Sequence, residues 1–251
     1  MVSPVIASAV LWKLNVQFPS GGPAMEQVFL RWMHIVFGTM WIGFVYFLNL
    51  VMSPTLEKLD GQTRGKIYPQ MISKLTPWFA ASAGLTWLAG FRYFMIITKT
   101  DAENIGEPQL MWKWIGIWLA CWVVAAAILL FSVRAVGSGW LLALIATLVV
   151  SATAWLVLGF LSNPGASNRT LCISVGGGMG TVLFAMAIVI GRLQKKIAGF
   201  FAAASGGAPM DPAAPKLIRQ AFLMARMGMW LSFPMLFFMG ASTHFPFLSG
   251  Q

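Results

Sequence analysis

Charge is scarce in this sequence. Among 251 residues there are 17 Lys and Arg and only 7 Asp and Glu. A soluble domain carries about a quarter of its residues charged, so the chain has too little polar surface to coat a water-soluble globule. That also excludes a secreted disulfide scaffold and a disordered tail. Histidine occurs twice, at His34 and His244, and cysteine twice, at Cys121 and Cys172. Neither CxxC nor CxxCH is present, which excludes a zinc knuckle and a covalently attached c-type haem. Both cysteines fall in or beside apolar runs and read as small buried hydrophobes.

Apolar residues are what the chain has in quantity. They make up 58% of it, with 12 Trp and 19 Phe, and the mean hydropathy is +0.76. A spanning helix needs about 20 mostly apolar residues, and residues 28–52, 76–97, 110–133, 139–161, 171–190 and 221–241 each qualify. The expected fold is an all-α polytopic membrane bundle of about six transmembrane helices over 28–244. An N-terminal segment, 1–27, precedes it and a short tail, 245–251, follows. The apolar stretch 5–12 is short, begins after Pro4 and is followed by Trp12 and Lys13. It reads as an interfacial helix rather than a cleaved signal peptide. The link 53–75 is expected to be partly helical, and the link 192–219 to have a flexible middle at its Gly and Pro residues. Pro234 should kink the sixth span, and the Gly-Gly-Gly-Met-Gly run from Gly176 to Gly180 should thin the fifth. No internal repeat is visible.

The formal net charge of +10 does not indicate nucleic acid, because the basic residues form no dense stripe. They lie in short links, where they act as orientation signals. Ten cationic residues fall in the links on one side: Lys58, Arg64, Lys66, Lys74, Arg134, Arg192, Lys195, Lys196, Lys216 and Arg219. The other side has Lys13, Arg31, Lys99, Lys113 and Arg169, with four of the seven acids in or near it. The ten-charge side is expected in the cytoplasm and both termini in the periplasm.

Ionisable residues inside a bilayer are the default functional candidates, since each is costly unless paired or solvated. All seven acids lie outside the apolar runs, so a carboxylate relay of the kind used by proton-coupled transporters has no residues to work with. The remaining candidates are His34, Arg92, Arg226 and, at a helix end, His244. The expected topology brings His34, Arg92 and His244 to one depth near the outer face. Neutral imidazole is a common axial ligand of haem iron, and an arginine suits a propionate. Gly38, one turn beyond His34, would leave room for a flat macrocycle, and Trp41 continues that face. Met239 is an alternative axial ligand to His244. Each residue also has a plainer reading: a transmembrane His bonding a neighbouring helix, an Arg snorkelling to headgroups, a Met filling a core.

The same residues carry a family resemblance. The run Leu30-Arg-Trp-Met-His34 is followed by Met40-Trp-Ile-Gly-Phe44, and Trp78-Phe79 by Thr86-Trp-Leu-Ala-Gly-Phe91. Val175-Gly-Gly and Gly180-Thr lead to Gln194-Lys-Lys196. Phe233-Pro-Met-Leu-Phe-Phe-Met239 is followed by Ser242-Thr-His-Phe-Pro246. In this order the chain resembles the membrane domain of the bacterial membrane-bound urate hydroxylases (the urate-oxidase N-terminal family). The first-span pattern is also similar to that of bacterial membrane protoporphyrinogen oxidases and copper-resistance membrane proteins. The resemblance implies a helical domain in the bacterial inner membrane that passes electrons to a cytochrome c, here a separate protein. The chain departs from the family pattern at Pro77, Ala80 and Ser82, where His, Lys and Glu are expected. It departs again near Ser174 and Met227, where further histidines are expected. Those losses remove the proton-transfer and anion-holding groups that urate oxidation needs.

The resulting expectation is a membrane redox-family protein that binds haem b near the outer face through His34 and His244, with Arg92, Gly38 and Trp41 around it, and serves electron transfer. The alternative is a non-catalytic accessory subunit of a larger respiratory or photosynthetic complex. A channel or transporter ranks last.

Overall fold

Hydrocarbon offers no water to backbone N–H and C=O groups, so a spanning chain closes its hydrogen bonds within helices. The computed structural model describes residues 21–163, 165–246 and 248, with the side chain of His244 outside that description, and no strand occurs among the described residues. Six helices follow in order: α1 Gly22–Glu57, α2 Gly61–Ile105, α3 Leu110–Ala135, α4 Gly139–Ser162, α5 Asn168–Ser205 and α6 Ala214–His244. Each is long and apolar enough to cross a membrane. The chain is an all-α membrane bundle with a lipid bilayer as its environment. The interfacial helix expected before residue 21 and most of the tail after 246 lie outside the described residues. From Gly22, ahead of the expected start at 28, the chain is already in α1.

Short polar signals set the boundaries. Asp60 caps α2 by accepting from Thr63 N at 2.9 Å, and Ser138 and Ser167 cap α4 and α5 through their hydroxyls. Gly106, at φ 85°, ends α2 in the left-handed conformation that costs glycine little. Within α1, Pro54 has no N–H and would collide with the carbonyl one turn back. The ladder changes to a π-turn over Leu48–Met52 just before it, and Ser53 N donates to Leu48 O. This turn buries Asn49, whose amide donates to Val45 O at 2.8 Å and, across to α6, to Ala225 O at 3.1 Å.

Two helices far exceed the bilayer. α2 has 45 residues and α5 has 38; at 1.5 Å per residue both exceed a hydrocarbon core of about 30 Å. The link 53–75, expected to be partly helical, belongs to the start of α2 from Gly61, and α5 runs on through 192–205 before the chain turns at Gly206 and Gly207. The reason is a second small core, where Tyr68 and Ile72 of α2 meet Ile197 of α5 and Met52 and Leu56 of α1. Tyr68 donates to Gln194 Oε1 and its ring lies 5.2 Å from that of Phe201.

α5 is the central helix: 61% of its most apolar stretch is buried, against 28% in α1 and α4. Its glycines make this possible. A Cβ at Gly176 would stand 3.1 Å from Met235 O of α6, and one at Gly178 would overlap the fully buried indole of Trp122 on α3. α4 packs chiefly on α3 and α5 and leaves Trp140 and Trp155 exposed to lipid. Gly178→Ala should therefore cost about 1–3 kcal/mol through overpacking. Gly191→Ala, with nothing within 4 Å of its new methyl, should be neutral or stabilising by up to ~1 kcal/mol. Thermal unfolding of the two variants in detergent makes the comparison.

Candidate functional site

Successive turns place Arg31, His34, Gly38 and Trp41 on one face of α1. That face, with parts of α2, α5 and α6, encloses a cavity of about 710 Å³ toward the end of the bundle where α2 meets α3. Small-molecule and cofactor sites are typically about 300–1,000 Å³. The wall from α2 and α3 is aromatic and rigid. Trp87 stacks on Phe91 at 5.1 Å and on Phe184 at 5.3 Å, and Phe91 on Trp118 at 6.1 Å. Trp87 donates to Thr181 Oγ1 at 3.1 Å and Trp118 to Ser174 O at 2.7 Å, so the indoles cannot turn freely.

His34 is fixed from α2. Its Nδ1 lies 2.9 Å from Thr86 O, and a carbonyl only accepts, so Nδ1 carries the proton and Nε2 keeps its lone pair. Nε2 makes no hydrogen bond among the described residues. A helical carbonyl has two lone pairs, and Thr86 can take this second partner because Gly90, one turn on, has no side chain. A Cβ at Gly90 would stand 2.6 Å from His34 Cε1. Gly38 also faces α2, where its Cβ would come 3.4 Å from Thr86 Cγ2.

The cavity lining includes His34, Gly38, Trp41 and Met239, together with Gly240, Ser242 and Thr243 from the last turns of α6. The first and sixth spans thus line one cavity; the side chain of His244, expected to meet His34, lies outside the described residues. Arg92 goes elsewhere. It faces out and pairs with Glu26, Nε to Oε1 at 2.7 Å, and it does not line the cavity. Arg226 stacks on Phe222 at 5.2 Å, away from this site. The guanidiniums that do line the cavity are Arg31 and Arg169. Arg31 had a legible signal, one turn before His34 on the same face. Arg169 had none beyond its place at the start of a helix, since only packing brings it to α1.

A second cavity, about 550 Å³, opens toward the basic end among α1, α2, α5 and α6. Trp41 is the residue common to both linings. It is 3% exposed and its indole N–H has no partner among the described residues. Trp41 is thus the partition between the two cavities.

No family model, curated protein or solved structure matches this chain.

The donor set can be tested against the cofactor that the residues suggest. Among the described residues no three His, Cys, Asp or Glu side chains gather to hold a bare ion. A haem brings four nitrogens of its own and asks the protein for axial ligands alone. An imidazole with its second nitrogen bound to a carbonyl is the usual state of a metal-ligating histidine. The Met239 thioether and the guanidiniums of Arg31 and Arg169 line the same cavity, as do Gly43 and Gly240, where an added Cβ would meet nothing within 4 Å. These residues fit haem b. Gly90→Ala should displace His34 from Thr86 and cost about 1–3 kcal/mol, whereas Arg92→Gln, at an exposed ion pair, should cost ~1 kcal/mol or less. Thermal unfolding of the purified variants checks both.

Proposed function

We propose that this chain is a haem b-binding electron-transfer protein of the membrane, with the cofactor in the cavity at His34. The observation that supports this reading best is the Nδ1-protonated tautomer of His34, locked by the Thr86 carbonyl, with Nε2 unpartnered beside a cavity of cofactor size. His34 would hold the iron from α1, and Met239 or His244 would hold it from α6. Haem iron, when bound, carries one electron reversibly. The chain's own residues orient it and keep water out. Thr86 holds the imidazole in its basic tautomer, Gly90 makes room for that imidazole and Gly38 lies close against Thr86, and the ring stack from Trp87 to Trp118 walls off lipid.

The proposal extends to place and partners. The excess of Lys and Arg at the far end puts that end in the cytoplasm, and the cavity then lies in the outer half of a bacterial inner membrane, with both ends of the chain periplasmic. A separate cytochrome c, or the subunits of a redox complex, would exchange electrons there. Descent from the urate hydroxylase scaffold is part of the same reading, with urate chemistry lost along with the polar residues of the second span.

The purified protein should show a reducible Soret and α-band, lost in His34→Ala. His244→Ala and Met239→Leu separate the second ligand, since loss of a thioether and loss of an imidazole shift the spectrum differently. A colourless, iron-free protein from haem-supplemented cells would sink the proposal. A cysteine placed at Thr243 should react with a membrane-impermeant maleimide on intact spheroplasts, and one at Lys58 only after lysis; the reverse pattern would overturn the orientation.

A further inference from the structure

The mouth of the outer cavity holds two positive charges that no acid answers. Arg31 and Arg169 both line it, and among the described residues the ion pairs are Arg92 with Glu26 and Lys99 with Glu103. Arg169 lies 5.2 Å over the ring of Tyr93, and its Nε is buried with no partner among the described residues. The Tyr93 hydroxyl, on a side chain 8% exposed that lines the same cavity, is also buried without a partner. Buried donors left unpaired are costly, and like charges at one mouth add to that cost. A ligand with carboxylates at one edge would satisfy all of these groups together.

We propose that Arg31 and Arg169, with the Tyr93 hydroxyl, clamp the two propionate carboxylates of the haem at the cavity mouth, and so fix which edge of the macrocycle faces the outer surface. This rests on the haem reading above. A guanidinium pairs bidentately with a carboxylate in a fixed plane. Arg31 lies one turn nearer the N-terminal end of α1 than His34 on the same face, so the apolar edge of the ring would lie deepest and the carboxylates would stay beside the arginines. Arg92, the arginine first suggested by the sequence, has its own carboxylate in Glu26 and takes no part.

The test compares haemin with its dimethyl ester, which keeps the ring and iron but lacks the two negative charges. Both are titrated by absorbance into the full chain, purified without haem in detergent. Wild type should bind haemin roughly tenfold or more tightly than the ester, since charge-assisted bonds are the strong ones. Arg31→Gln and Arg169→Gln should each reduce that preference, and the double variant should bring it near one. The double Lys variant should keep part of it, and Arg92→Gln all of it. Equal binding of both porphyrins by wild type overturns the clamp and leaves the haem reading standing. Binding of neither overturns both. A preference that survives in the double Gln variant overturns the assignment to these arginines; should that variant not fold, the single variants and the wild-type ratio decide.

Discussion

Everything in this bundle depends on how closely α3 and α6 can approach α5. At Gly178 there is no room for a methyl group, because Trp122 of α3 occupies the space, and at Gly176 a Cβ would stand 3.1 Å from Met235 O and 3.2 Å from the Met239 side chain of α6. In lipid the hydrophobic effect gives helices no reason to associate, and close backbone approach with good van der Waals contact takes its place. The glycine face therefore sets where α3 and α6 lie. Their positions in turn set the cavity, since Trp118 and Met239 form part of its wall.

A second constraint acts on polar groups. Each one inside the bundle needs a partner, and most find it one turn back in their own helix, as Thr98, Ser132 and Thr153 do. The few that reach across are the ones that fix geometry. Asn49 ties α1 to α6, Tyr46 donates to Ser232 at 2.9 Å, Trp87 ties α2 to α5, and His34 ties α1 to α2. The exceptions are informative for the same reason. Among the described residues five side-chain donors are buried without a partner: the Trp41 and Trp122 indoles, the Tyr93 hydroxyl, Arg64 Nε and Arg169 Nε. Three of the five, on Trp41, Tyr93 and Arg169, belong to residues that line the cavity at His34, where an acceptor would satisfy them.

Part of this was legible in the sequence. Hydropathy is additive along a segment, so six spans could be counted without knowing what they touch. His34, Gly38 and Trp41 are spaced by one turn, so their common face followed from helical periodicity. The extension of α2 was legible in part, as helix in the link 53–75, whereas that of α5 was not, because the charges at Lys195 and Lys196 mask the apolar pairing of Ile197 with Tyr68 and Ile72. The choice of arginine was also out of reach. Depth along the membrane is readable from position in a span, and Arg92 has the right depth. Azimuth around the helix axis, which turned Arg92 to Glu26 and Arg169 to the cavity, depends on the neighbours.

The sequence by itself determined the solvent and the number of helices, since these follow from the free energy of moving residues between water and hydrocarbon, summed segment by segment. Tertiary structure decided which residues meet. The bond from His34 to Thr86 spans 52 positions and depends on a missing side chain at Gly90, a contact no local pattern specifies. That Arg31 and Arg169 line one cavity depends on packing that involves α1, α2 and α5 together. Burial acts on each residue alone and can be read along a chain, whereas a site is a coincidence of faces that only packing creates.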